Sequence, residues 1–225
     1  MNLTSSRSTL SGEVRIPASK SHTIRALLIA TLANGTSTLA NPLRSADTAA
    51  CIRACRALGA EVRESDSALV VTGVDGTPAA PDDVIDVGNS GTTLYLALAL
   101  AALTEGSTVF TGDYQIRRRS AAPLLAALND LGAYAFSTRN NGCAPLVVRG
   151  TLSGGTTSID CPTSQYLSSL LLSCPLACGD TDISVPLLHE RPYVSMTLDW
   201  LARQKICVEH DSELSAFHIP GGQSY

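Results

Sequence analysis

The chain has 225 residues, 44% apolar and 16% charged, with a formal net charge of −4. Such a length holds one large domain or two small ones, and with only 4% aromatic residues the core must be aliphatic. The negative balance argues against a nucleic-acid partner. The apolar run Leu94–Leu103 is too short for a membrane span, and the polar stretch Met1–Leu10 lacks the apolar centre of a secretion signal. A cytoplasmic protein is expected.

The first strong signal is Pro17–Leu32. A polar knot, Ser19-Lys20-Ser21-His22-Thr23, leads into an apolar run whose Ile24, Leu27, Leu28 and Leu32 share one helical face. Ser19 or Ser21 can cap this helix. A first helical turn has unpaired N–H groups and a partial positive charge, so with Lys20 and Arg25 beside it this end suits a phosphate or a carboxylate. A capped helix with two solvated basic residues is the alternative, and this stretch alone does not decide between them.

The pattern recurs on a period of roughly 73 residues. The second and third knots are Asn89-Ser90-Gly91-Thr92 and Thr163-Ser164-Gln165-Tyr166. A long apolar helix follows each knot, closed by Gly35, Gly106 and Gly179, and then a β-rich stretch at Thr36–Leu39, Ser107–Thr111 and Thr181–Val185. A second helix ends at Leu58-Gly59-Ala60 and at Leu131-Gly132-Ala133; the third copy has Lys205-Ile206 in register. Glycine suits the left-handed cap there, and Lys205 should tolerate it less well, by ~1 kcal/mol. Each copy closes on a strand and a glycine, at Gly73, Gly150 and Gly221.

The predicted unit is therefore β-α-β-α-β-β, giving an α+β fold of three units around a pseudo-threefold axis. The core helices Thr93–Leu103 and Tyr166–Ala177 are apolar nearly all round and must be buried, with Pro175 kinking or ending the latter. Segments Thr77–Asp83 and Gly150–Gly155 read as connectors. If the three buried helices run parallel, their heads converge on one face and form an anion trap.

Other chemistry is sparser. In Arg117-Arg118-Arg119 a solvated turn is the default, and an anion clamp by one of the three is the sharper option. Pro192 suits the first turn of a sixth helix, and Tyr193 reads as core or as cover for a ligand. His22, His189, His210 and His218 are scattered, and Asp47, Asp86 and Asp113 offer no marked general base. The seven cysteines contain no Cys-x-x-Cys and read as buried free thiols, with Cys51/Cys55 and Cys174/Cys178 as i, i+4 pairs in helical segments. No metal-ligand cluster is evident.

At these motifs the sequence resembles the 5-enolpyruvylshikimate-3-phosphate synthases, or 3-phosphoshikimate 1-carboxyvinyltransferases. The resemblance rests on Ser19-Lys20-Ser21-His22-Thr23-Ile24-Arg25, Gly88-Asn89-Ser90-Gly91-Thr92, the arginine run ending at Arg119, Thr163-Ser164-Gln165-Tyr166-Leu167 and Arg191-Pro192-Tyr193, in order along the whole chain. It implies transfer of the enolpyruvyl group from phosphoenolpyruvate to the 5-hydroxyl of shikimate 3-phosphate, with no metal or organic cofactor. Shikimate 3-phosphate is expected at Ser21, Arg25, Thr163, Ser164, Gln165 and Tyr193. Phosphoenolpyruvate is expected at Lys20, Gly91, Arg119 and Gln165. The family often has arginine where this chain has Tyr95, serine where it has Glu190, and usually serine where it has Thr163.

Family members have two such halves, so the resemblance implies one domain of an enolpyruvyl transferase, inactive alone. Residues 1–15 are expected as a strand that joins the second domain, and 16–225 as three subunits near 16–80, 81–152 and 153–225. The acid/base carboxylates are expected in the second domain. The alternatives are a relative of UDP-N-acetylglucosamine enolpyruvyl transferase and a non-catalytic anion-binding module. Gly91 leaves room at the phosphoenolpyruvate subsite, which by resemblance implies a glyphosate-sensitive parent enzyme.

Overall fold

The computed structural model describes residues 2–9 and 11–225. Its elements fall into three groups that follow the sequence period. The first holds helix α1 (Lys20–Leu32), strand β1 (Thr36–Ala40), helix α2 (Ala46–Ala57) and strands β2 (Glu61–Glu64) and β3 (Ala68–Thr72). The second holds β4 (Ile85–Asp86), α3 (Gly91–Ala101), β5 (Ser107–Thr111), α4 (Ala122–Asp130), β6 (Tyr134–Ser137) and β7 (Leu146–Arg149). The third holds β8 (Gly155–Ser158), α5 (Ser164–Ser173), β9 (Thr181–Ser184), α6 (Arg191–Arg203), β10 (Glu209–His210) and β11 (Ala216–Ile219).

The second and third sheets have one topology, β4-β5-β7-β6 and β8-β9-β11-β10. In each, the first strand runs parallel to the second, Ile85 opposite Phe110 and Gly155 opposite Thr181, and the remaining pairs are antiparallel. The first sheet is β1-β3-β2 and, among the described residues, lacks the parallel strand. The expectation of β-α-β-α-β-β three times over is therefore corrected for the first unit. Residues 11–19 carry no strand, Gly12 forming a bend, and a segment becomes a strand only by pairing, which none of them does. Val14 and Ile16 are 82% and 76% exposed. Nor do residues 2–9 form a strand, and Met1 and Leu10 lie outside the described residues.

The three apolar helices make the core. Every residue of α3 is buried except Thr92, and every residue of α5 except Gln165. On α1, Ile24, Leu27, Leu28 and Leu32 are all within 1% of full burial. Ser169 Oγ of α5 donates to the Tyr95 carbonyl of α3 at 2.6 Å, so these helices touch at backbone distance. Pro175 does end α5: a single 3-10 turn, Cys174–Leu176, follows Ser173. That ending leaves Cys178 outside the helix and exposed, as is Cys207, which corrects the reading of all seven thiols as buried. Gly59, Gly132 and Lys205 take the cap position with φ of 100°, 95° and 62°, so the lysine does adopt the left-handed turn that its register demands.

Candidate anion site at three helix heads

The heads of α1, α3 and α5 meet at one cavity of about 150 Å³. Lys20, Ser21 and Arg25 of α1 line it, with Thr92 of α3, Ser164 and Gln165 of α5, and Glu190 and Tyr193 at the head of α6. Each helix starts here for a local reason. The hydroxyls of Ser19, Ser90 and Thr163 accept from His22 N, Thr93 N and Gln165 N, at 3.4, 3.3 and 3.5 Å. The two residues of α3 and α5 that escape burial, Thr92 and Gln165, both line the cavity.

Arg25 sets the electrostatics. It is 1% exposed, yet every acceptor it has is neutral. Its Nε donates to Thr197 Oγ1 at 2.8 Å. Nη2 donates to Ser168 Oγ and to the Tyr193 carbonyl, both at 3.1 Å, and Nη1 donates to the Ser21 carbonyl at 3.3 Å. Burial pulls the guanidinium down to about 10, which leaves it charged at neutral pH. A buried cation without a counter-ion is costly, and an anion in the cavity would relieve that cost. Lys20 is differently placed: its Nζ lies 3.7 Å from Asp47 Oδ1.

Asp47, in the first turn of α2, is one of three aspartates among which the sequence singles out none. Besides Lys20 it accepts from Ser90 Oγ at 2.8 Å, and so it ties the first knot to the second. Its signal was present in Ser45-Ala46-Asp47-Thr48, where Ser45 and Thr48 form a reciprocal capping box. That signal marks a helix start and says nothing of the partners brought in from α1 and α3.

Of the arginine run only Arg119 reaches the second knot. A Cβ added to Gly91 would stand 2.8 Å from Arg119 Nη1, so the guanidinium lies directly over this glycine. Arg117 turns back to the Gly112 carbonyl, and Arg118 sits over the Tyr114 ring with its Cζ 5.8 Å from the centroid. The loop before the run is fixed by Asp113, which accepts from Ile116 N, Gln115 N and Asn89 Nδ2 at 3.0, 2.9 and 2.7 Å. These donors hold its carboxyl below the usual carboxylate range, the Ile116 amide foremost.

Lys20, Ser21, Arg25, Ser164, Gln165 and Tyr193 are thus brought together, with Gly91 and Arg119 beside Thr92. Thr163 stands at the rim as the cap of α5. The histidines are elsewhere in role: His22 accepts from Trp200 Nε1 at 3.0 Å, and His218 pairs with Asp182 at 2.8 Å. A larger cavity, about 360 Å³, runs between α1, β1 and Trp200 along the open edge of the first sheet. No lysine or arginine lines it, so it offers no fixed charge to an anion. No helix among the described residues is long and apolar enough to cross a membrane.

Three helix heads, a buried guanidinium, an exposed lysine and a hydroxyl-rich rim give this α+β domain a cavity whose chemistry suits small anions. Residues 4–225 match the family model of EPSP synthase (3-phosphoshikimate 1-carboxyvinyltransferase), and the chain belongs to that family. It is 55% identical, over 97% of its length, to a 3-phosphoshikimate 1-carboxyvinyltransferase of Acetivibrio thermocellus, and 51% identical, over 97%, to one of Ruminiclostridium cellulolyticum. It covers 52% of each, so the chain spans about half the length of these relatives. The fold matches EPSP synthase of Acinetobacter baumannii with a TM-score of 0.83 at 24% identity, over 95% of this chain and 47% of that one. The architecture is that of one domain of the enolpyruvyl transferase fold.

Proposed function

We propose that this chain is the N-terminal half of a 3-phosphoshikimate 1-carboxyvinyltransferase, and that its cavity holds shikimate 3-phosphate. The whole enzyme would transfer the enolpyruvyl group of phosphoenolpyruvate to the 5-hydroxyl of that ligand and release phosphate. The observation that carries this reading is Arg25, a buried guanidinium with only neutral acceptors, set where three helix heads converge. Ser21, Arg25, Thr163, Ser164, Gln165 and Tyr193 take shikimate 3-phosphate. Lys20, the Gly91 backbone, Arg119 and Gln165 take phosphoenolpyruvate.

Both substrates are multiply charged and repel each other. Fixed cations and free amides offset that repulsion, hold the 5-hydroxyl near the enol carbon and favour charge on a tetrahedral intermediate. Glu190, the one carboxylate among the cavity-lining residues, and Asp47, which contacts Lys20, already accept two or more hydrogen bonds or cations. A proton-transferring group is accordingly assigned to the second domain, as are residues 1–15, and the isolated chain is expected to be inactive. The reading carries a cytoplasmic location with it.

A thermal-shift series on the chain tests this. Shikimate 3-phosphate should raise the melting temperature in proportion to log concentration, and UDP-N-acetylglucosamine should not. A shift with the nucleotide sugar alone would contradict the assignment. Turnover by the isolated chain would contradict the need for a second half.

A further inference from the structure

Glu190 brings a carboxylate into a place suited to an anion from outside. It stands at the head of α6 with φ 57° and ψ 40°, left-handed values that glutamate seldom adopts. With this turn its side chain meets α5. Oε2 accepts from Ser164 Oγ at 3.0 Å and from Ser164 N and Thr163 Oγ1, each at 3.3 Å. These are the hydroxyls and the first-turn amide that the reading above gives to the phosphate of shikimate 3-phosphate.

The buried cation of the cavity is not met by this carboxylate. Arg25, in contrast, has only neutral oxygens among its acceptors and no carboxylate. The head of α5 is therefore occupied from within, while the rest of the cavity is not.

We propose that Glu190 is an internal occupant of the phosphate subsite: it holds the head of α5 in the free chain and must swing out when a phosphorylated ligand enters. It thereby lowers the affinity of the subsite for phosphate and selects which anions can enter. The inference rests on the cavity being the shikimate 3-phosphate site and adds a selectivity residue to it. A carboxylate and a phosphate cannot both accept from the same three donors, and two anions at contact distance repel. The side chain of Glu190 is exposed, so its departure disturbs no core packing. The backbone is held on both sides, by the bond from His189 N to the Cys161 carbonyl at 3.0 Å and by Pro192 in the first turn of α6. The movement thus belongs to the side chain.

The test compares the wild-type chain with Glu190→Gln and Glu190→Asn, the latter suited to left-handed φ. Each is titrated by calorimetry with shikimate 3-phosphate, inorganic phosphate and unphosphorylated shikimate, and each is melted to check folding. Both variants should bind the two phosphorylated probes about tenfold more tightly and shikimate unchanged. A role confined to capping α6 would shift all three probes alike or only the melting temperature, and would overturn the proposal. Equal or weaker phosphate affinity in the variants would overturn it while leaving the reading of the site intact. Failure of shikimate 3-phosphate to bind any of the three proteins would overturn that reading, and this proposal with it.

Discussion

Tyr95 of α3 and Tyr166 of α5 meet edge to face with ring centroids 5.1 Å apart, and both phenols donate to the Ser120 carbonyl, at 3.1 and 2.5 Å. Burial raises both phenols above their ordinary value, so both remain protonated donors. Ser120 follows Arg119 in the chain. Two core helices therefore fix the backbone that carries the cation over Gly91.

Either phenol alone can satisfy that carbonyl. Tyr95→Phe and Tyr166→Phe should each cost about 1 kcal/mol of stability, and the double variant should cost about 1 kcal/mol more than their sum. Urea unfolding of the four proteins measures this. Strict additivity would mean that the two bonds are independent.

Gly91→Ala should leave the fold intact and move Arg119. The added Cβ meets only the far end of a flexible side chain at 2.8 Å; the next contacts, Arg119 Cζ and Tyr95 Cε2, are at 3.8 Å. Stability should change by less than about 0.5 kcal/mol. The Arg119 side-chain signals in an NMR spectrum should shift while those of Arg25 stay in place.

Lys205→Gly should stabilise the chain by about 1 kcal/mol, because Lys205 holds φ of 62° where the two equivalent positions have glycine. A melting curve with unchanged or lower midpoint would show that the lysine side chain contributes more than its backbone conformation costs.

The pH dependence has a defined sign at one exposed pair. The hydrogen bond to Asp182 raises His218 above 6.5. A raised folded-state value stabilises while the group is protonated in both states, so the contribution is full below 6.5 and is lost as pH rises through the folded value. The midpoint difference between wild type and Asp182→Asn should be largest on the acid side of 6.5 and vanish at clearly alkaline pH.

Much of this arrangement was legible in the sequence. Three polar knots before three all-apolar stretches placed the buried helices and their heads, because a helix without a polar face has nowhere else to go. The left-handed cap at Lys205 followed from register with Gly59 and Gly132. Other features needed three dimensions. Which arginine reaches the site depends on where Arg117 and Arg118 find local partners, and both lie within their own turn. Asp47 and Glu190 matter through neighbours distant in the chain, Ser90 and Ser164, which no local pattern reveals. The stretch before α1 is expected as a strand only by resemblance, and strand formation depends on an edge to pair with.

The account turns on Arg25 as the cation that a phosphorylated ligand must meet. Thr197 Oγ1 and Ser168 Oγ lie 2.9 Å apart and keep each other as partners without the guanidinium, so Arg25→Met should change stability by no more than about 1 kcal/mol. The direct measurement is calorimetric titration of shikimate 3-phosphate into the wild-type and Arg25→Met chains. A saturable heat with the wild type, weakened at least about tenfold in the folded variant, is the predicted result. Equal binding by the two proteins, or none by the folded wild type at millimolar ligand, would contradict it.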